Sequence, residues 1–142
     1  MGRILAIDYG RKRVGLAVTD ELKMIAGSLG TIHSKDVVDY LKKYVTNENV
    51  ECFVVGEPKQ MNNTNSESAK FIEPFVKLLK QTFPSIIIKR FDERFTSKMA
   101  FQTMIDAGLK KKDRQNKALI DSISATLILQ SYMESINNKI IF

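Results

Sequence analysis

Hydrophobic positions along this chain change period several times, and each change marks an element. Ile4-Leu5-Ala6-Ile7 is a short apolar, β-prone run that stops at Asp8-Tyr9-Gly10. Val14-Gly15-Leu16-Ala17-Val18 follows it across the charged tip Arg11-Lys12-Arg13. Two apolar runs joined by a glycine-containing basic turn predict a β-hairpin. Residues Met24 to Ile32 predict a third strand, weakened by Gly27 and Gly30. From Ser34 the period becomes helical, with Val37, Val38, Leu41, Tyr44 and Val45 on one stripe and Ser34 as the expected N-cap. Glu51 to Val55 predicts a buried strand ending in Gly56-Glu57-Pro58. Thr64-Asn65-Ser66-Glu67 is a capping-box pattern that opens a second helix, with Ile72, Phe75, Val76, Leu79 and Phe83 as its stripe. Pro74 inside that stripe is expected to kink the helix or mark its real beginning. Pro84 closes it, and Ile86 to Phe91 is the next buried strand, ended by Asp92-Glu93-Arg94. Thr96 or Ser97 caps a helix reaching Gly108, a solvated loop follows, and a last helix runs from about Lys117 to Ser135. The order βββαβαβαα predicts an α/β fold: a mixed sheet with helices on both faces.

Composition narrows the class. At 142 residues the chain suits one domain spanning 1–142, and 44% hydrophobic with 27% charged residues excludes disordered and fibrous classes. Its apolar runs stop at three or four residues, far short of the roughly 18 that a membrane span needs. Met1-Gly2-Arg3 leads into the first strand without a secretory apolar region, so a cytoplasmic location is expected. Cys52, the one cysteine, lies in a strand-like run and excludes an internal disulfide framework. His33, the one histidine, excludes histidine-rich metal sites. Acid–base or metal chemistry must therefore come from carboxylates.

Three carboxylates occupy positions that otherwise read as core: Asp8 at the end of the first strand, Glu93 across the end of another, and Asp121 on the last helix. Asp121 has Ala118, Ser124 and Ala125 as its neighbours along the helix face, and such small side chains leave room for an ion or a phosphate. An unpaired carboxylate in a core costs several kcal/mol, so each of the three needs a cation, a donor or a proton. Separate explanations exist: Asp8 bonding its turn, Glu93 pairing with Arg94 or Arg90, Asp121 facing water at a helix edge. Together, however, strand ends on one sheet edge lie side by side, and a helix can cross them. Three hard oxygen donors suit Mg²⁺ or Mn²⁺, and such clusters activate water for in-line displacement at phosphorus.

Charge agrees with that reading. The net charge is +6, and segment 108–117 carries +4 of it through Lys110, Lys111, Lys112, Arg114 and Lys117 against Asp113. Arg11, Lys12 and Arg13 follow Asp8 closely. A single basic run is ordinarily a solvated face, but two of them beside one carboxylate cluster point to a polyanionic partner. No aromatic-interleaved recognition module is visible, so base stacking is not indicated. The Asp8-to-Gly15 turn also resembles a phosphate-cradling turn, but no phosphate loop of the Gly-x-x-x-x-Gly-Lys type accompanies it.

Ile4 to Asp20 resembles the opening of the YqgF family, RNase H-like proteins described as Holliday junction resolvases and as nucleases maturing the 5′ end of 16S rRNA. Val54-Val55-Gly56-Glu57-Pro58 is similar to that family's strand–turn motif. Phe91 to Ser97 resembles its Asp-Glu-Arg motif, and Ile120 to Gln130 its final helix. The resemblance runs in order over nearly the whole chain. It implies a ribonuclease H-like fold with Asp8, Glu93 and Asp121 as metal-binding catalytic residues, and Mg²⁺ or Mn²⁺ as cofactor. It also implies a nuclease acting on structured nucleic acid, with precursor 16S rRNA as substrate. The expected nucleic-acid contacts are Arg11, Lys12, Arg13, Arg94, Lys110, Lys111, Lys112, Arg114 and Lys117. Branched DNA is the alternative substrate, a ribosomal particle a further expected partner, and a monomer or weak homodimer the expected assembly. A non-catalytic nucleic-acid- or ribosome-binding factor is the competing reading. Three departures from the family pattern stand out: Glu57 in place of an apolar residue, Asn63 in place of a glycine, and Pro74 within a helix.

Overall fold

In a computed structural model, the described residues are 2–20, 26–57, 69–92 and 117–140, with side chains of the last helix described over 124–136. The first two apolar runs pair as the expected hairpin, β1 (Arg3–Tyr9) with β2 (Arg13–Thr19), antiparallel and with Asp8 opposite Gly15. The turn between them is tight, because the Gly10 N–H donates to the Arg13 carbonyl at 3.0 Å. A Cβ on Gly10 would lie 2.7 Å from that same oxygen, so the turn needs glycine for its close approach. β3 (Ala26–His33) adds antiparallel to β2, and the register shifts between Leu16 and Ala17. Gly30 takes φ 111° at that irregularity, a conformation glycine adopts without a side-chain penalty.

The remaining strands are parallel: β4 (Val50–Glu57) beside β1, and β5 (Ile87–Asp92) beside β4. The sheet order is β3-β2-β1-β4-β5. Parallel neighbours need crossovers. α1 (Val37–Asn47) lies between β3 and β4 in the chain, and α2 (Ala69–Thr82) between β4 and β5. The last helix, α3 (Lys117–Ile140), runs five residues beyond the predicted end at Ser135. No helix among the described residues is long and apolar enough to cross a membrane.

Strand alternation sorts the sheet into two faces. Leu5, Ile7, Phe53 and Val55 belong to a core with Val37 and Leu41 of α1 and with Ile72, Phe75 and Leu79 of α2. Ile4, Ala6, Cys52 and Val54 belong to a second core with Ala125, Ile128, Leu129 and Met133 of α3. Ala6, Ala17 and Ala125 are fully buried there, and their small side chains let α3 approach the sheet closely. The expected helices on both faces are present.

Two local expectations change. Ser34 does not cap α1: it opens a 3-10 turn (Ser34–Asp36) whose cap is His33, with Nδ1 accepting from the Lys35 N–H at 3.1 Å. Ser34 is taken by the hairpin instead, its hydroxyl donating to the Arg11 carbonyl at 2.6 Å and its N–H to the Lys12 carbonyl at 3.0 Å. α2 begins at Ala69, so Pro74 lies inside the helix and is not its start. Lacking an N–H, Pro74 removes one hydrogen bond of the helix. The Thr64–Glu67 capping box, the helix predicted to reach Gly108 and the 110–116 part of the basic loop lie outside the described residues.

Candidate active site

Asp8 is the last-but-one residue of β1, two positions after Ala6. Ala6 packs on α3, so alternation turns the half-buried Asp8 toward the α3 face. Its partner across β2 is Gly15. On the other side Ile7 pairs with Val55, and one residue further Gly56 stands level with Asp8. Neither neighbouring strand therefore contributes a side chain beside this carboxylate.

β5 extends the same geometry. Phe91 pairs with Gly56 and packs against the α3-face core, while Asp92 pairs with Glu57. Asp92 consequently lies on the opposite, α2 face, together with Arg90 and Ile88. Glu93 and Arg94 lie outside the described residues, as do Lys110, Lys111, Lys112 and Arg114. Asp121 and Lys117 fall within the backbone of α3. Among the described residues no three His, Cys, Asp or Glu side chains converge on one point.

The α2 face holds a separate ionic network that accounts for one of the family departures. Arg90 Nη2 meets Glu57 Oε1 at 2.5 Å and Glu73 Oε1 at 2.8 Å, while its Nε is buried without a hydrogen-bond partner. The hydrogen bond from Arg90 holds the Glu73 carboxyl below the usual range for glutamate, with the nearby Arg90, Lys77 and Lys80 charges adding to it. Glu57 is thus a partner for Arg90. Arg90, with these two carboxylates on it, lies on the sheet face opposite Phe91.

Arg11, Lys12 and Arg13 are exposed at the hairpin tip, within five residues of Asp8. The tip is held from three directions. Ser34 binds the Arg11 and Lys12 carbonyls, and Tyr9 stacks on Phe75 of α2 at 4.1 Å and 15° between ring planes. The Arg11 guanidinium sits 4.5 Å over the Phe71 ring, also on α2. Sequence reasoning missed Ser34 and Phe71 as parts of this edge. The one signal for Phe71 was an aromatic next to the apolar stripe of α2 but not part of it.

On the α3 face, burial first, then contact with Cys52, pushes the Tyr132 hydroxyl up in pKa. That contact ties the C-terminal half of α3 to the beginning of β4, where Cys52 is level with Ile4 of β1. By this register two glycines flank Asp8 on the neighbouring strands, which leaves room beside its carboxylate, and a carboxylate oxygen is the kind of hard donor that Mg²⁺ or Mn²⁺ takes.

A central β1 hairpin, parallel β4 and β5, and a long helix across the opposite face make this a ribonuclease H-like fold. The structure of T. thermophilus RuvC in complex with a Holliday junction substrate superposes with a TM-score of 0.60 over 95% of this chain and 96% of that one, at 15% identity. The sequence matches the RuvX family model, described as Holliday junction resolvase, over residues 2–135, and the chain belongs to that family. It is 60% identical over 133 residues to a Flavobacterium psychrophilum protein named "Putative pre-16S rRNA nuclease", covering 94% of this chain and 97% of the relative. A Bacteroides thetaiotaomicron protein of the same name is 57% identical over 135 residues, covering 95% and 98%.

Proposed function

We propose that this protein is a divalent-metal-dependent nuclease that cleaves structured RNA, with the precursor of 16S rRNA as its substrate. One observation carries the reading. Asp8 is turned to the α3 face between two glycine positions, on the face to which strand alternation would direct Glu93 through Phe91. The spacing along α3 agrees. Asp121 precedes Tyr132 by eleven residues, about 16 Å of helix, and Asp8 follows Ile4 by four, about 13 Å of strand. With Tyr132 anchored beside Cys52, an α3 directed antiparallel to β1 would bring Asp121 level with Asp8. Asp121 also shares its helix stripe with Ala125, which packs on the sheet.

In this reading Asp8, Glu93 and Asp121 hold Mg²⁺ or Mn²⁺, which when bound supplies water activation and charge neutralisation at phosphorus. The chain's own contribution is positional. β1 and β5 fix two carboxylates by strand register, α3 brings the third, and the exposed tip Arg11-Lys12-Arg13 grips phosphates beside the scissile bond. Lys110, Lys111, Lys112, Arg114, Lys117 and Arg94 extend that grip. The +6 net charge attracts any polyanion equally, so the choice of RNA rests on the names of the relatives.

The test compares purified protein on precursor 16S rRNA and on a four-way DNA junction, each with Mg²⁺, Mn²⁺ or chelator. Metal-dependent cleavage of the RNA is expected. Cleavage of the junction alone would favour the resolvase reading that the family description carries. Binding without cleavage of either would make the protein a nucleic-acid-binding factor.

A further inference from the structure

The hairpin tip carries more than charge. The Arg11 guanidinium carbon sits over the Phe71 ring, 4.5 Å from its centroid, yet Phe71 remains 38% exposed and Arg11 is exposed. A phenylalanine that merely filled the core would turn inward with Ile72, Phe75 and Val76, all of which are buried. Phe71 instead stands outside that stripe and meets the tip of a hairpin sixty residues earlier in the chain. The tip itself is rigid: Gly10 closes it onto Arg13, and Ser34 holds the Arg11 and Lys12 carbonyls. Tyr9 stacked on Phe75 fixes α2 against the end of β1. The result is a preassembled pair of planar groups, one aromatic and one guanidinium, flanked by the exposed charges of Lys12 and Arg13.

We propose that Arg11 and Phe71 form a stacking subsite for an unpaired nucleotide of the substrate, at the sheet edge that also carries Asp8. Unpaired bases are read by stacking on aromatic rings and on arginine planes, while paired bases in a duplex offer no free face. Arginine suits this role better than lysine because its cation is planar. Asp8 faces α3 and Phe71 belongs to α2, so the two lie on either side of the β1 end. A strand crossing that edge presents its phosphates to the basic tip and one base to the Arg11–Phe71 pair. The enzyme then selects RNA with a single-stranded segment next to the cleaved bond over continuous duplex. No aromatic-interleaved module in the sequence signals such a subsite, because the aromatic partner comes from a distant helix. The proposal rests on the nuclease reading only for the identity of its ligand as nucleic acid.

The experiment is a binding measurement in chelator, where cleavage does not interfere. The probes are an RNA duplex with a single-stranded overhang carrying 2-aminopurine, and the same duplex with blunt ends. Wild-type protein is expected to bind the overhang RNA more tightly and to quench the 2-aminopurine through stacking. Phe71→Leu should lose about tenfold in affinity for the overhang RNA, with less than a twofold change on the blunt duplex, and should abolish the quench. Phe71→Tyr should restore both. Arg11→Lys, a surface change that keeps the charge, should lose the quench while retaining salt-dependent binding. Equal losses on both RNAs, or a wild-type protein that neither prefers the overhang nor quenches the probe, would overturn the subsite. Cleavage of the same RNAs in Mg²⁺ reads the nuclease assignment separately. Wild-type protein that quenches but never cleaves would sink that assignment and leave the subsite standing.

Discussion

The hydroxyl of Ser34 donates to the backbone carbonyl of Arg11 over 2.6 Å, joining the residue that follows β3 to the turn between β1 and β2. Ser34 therefore sets where the basic tip points, although it lies on a different connection. Ser34→Ala should cost stability toward the low end of about 0.5–1.5 kcal/mol, the usual range for one intramolecular hydrogen bond, because the site is exposed. Affinity for nucleic acid should fall more than stability does, since the tip loses its fixed orientation. Chemical denaturation alongside fluorescence anisotropy measures both; unchanged affinity would mean the tip is rigid without Ser34.

Gly10→Ala tests the turn itself. The added Cβ would meet the Arg13 carbonyl oxygen at 2.7 Å, and backbone cannot give way as a flexible side chain can. Overpacking of this kind costs about 1–3 kcal/mol, a shift that should be visible in the midpoint of urea unfolding. Asp8 is two residues away, so cleavage should fall along with stability.

The two acidic residues at the end of β5 should separate cleanly. Asp92 pairs in register with Glu57 on the α2 face, so Asp92→Asn should leave cleavage within a few-fold of wild type. Asp8→Asn and Glu93→Gln should each lower it by more than about a hundredfold, since even partners of metal ligands are worth 10- to 100-fold. Single-turnover cleavage of RNA with each variant decides the matter. Loss of activity in Asp92→Asn alone would reverse the assignment.

Neutralising Lys110, Lys111, Lys112 and Arg114 should weaken binding and flatten its salt dependence, lowering the log–log slope by up to about 3 if all four touch phosphates. Asp121→Asn should leave the slope as it is while cleavage falls, because it removes a proposed metal ligand and a negative charge together. A titration of affinity against salt concentration distinguishes a phosphate-binding loop from a merely solvated one.

Acid should weaken the Arg90 network. The Glu73 carboxyl is held below its ordinary value by the Arg90 hydrogen bond, so the folded state favours the ionised form. That stabilisation is present above the unfolded glutamate pKa and disappears as pH falls through the lower folded value. Glu73→Gln should therefore be less stable than wild type near neutral pH, with the gap closing in strong acid. The gap should be small because the Glu73 side chain is 58% exposed and water screens the pair. A gap that widened in acid would contradict the assignment.

Much of this protein was legible from the order of its residues. The alternation in Ile4 to Asp8 and the helical stripe from Val37 to Val45 named their elements, because periodicity reports which face of a segment is apolar. The same logic singled out Asp8 as a carboxylate at a strand end, and the structure turns it to the α3 face. Glu93 was marked by the family resemblance; the structure places Phe91, two residues before it, against the α3-face core, while Glu93 itself lies outside the described residues.

Only the tertiary structure decided which side chains meet. Ser34 read as a helix cap and became a clamp on Arg11. Arg90, one of two arginines weighed as a partner for Glu93, binds Glu57 and Glu73, and Phe71, outside the apolar stripe of α2, meets Arg11. Each of these contacts spans 17 to 60 residues and depends on strand order and register. Period tells a segment which face to bury, but not against what, so partners chosen by the β3-β2-β1-β4-β5 sheet become visible only when the sheet is assembled.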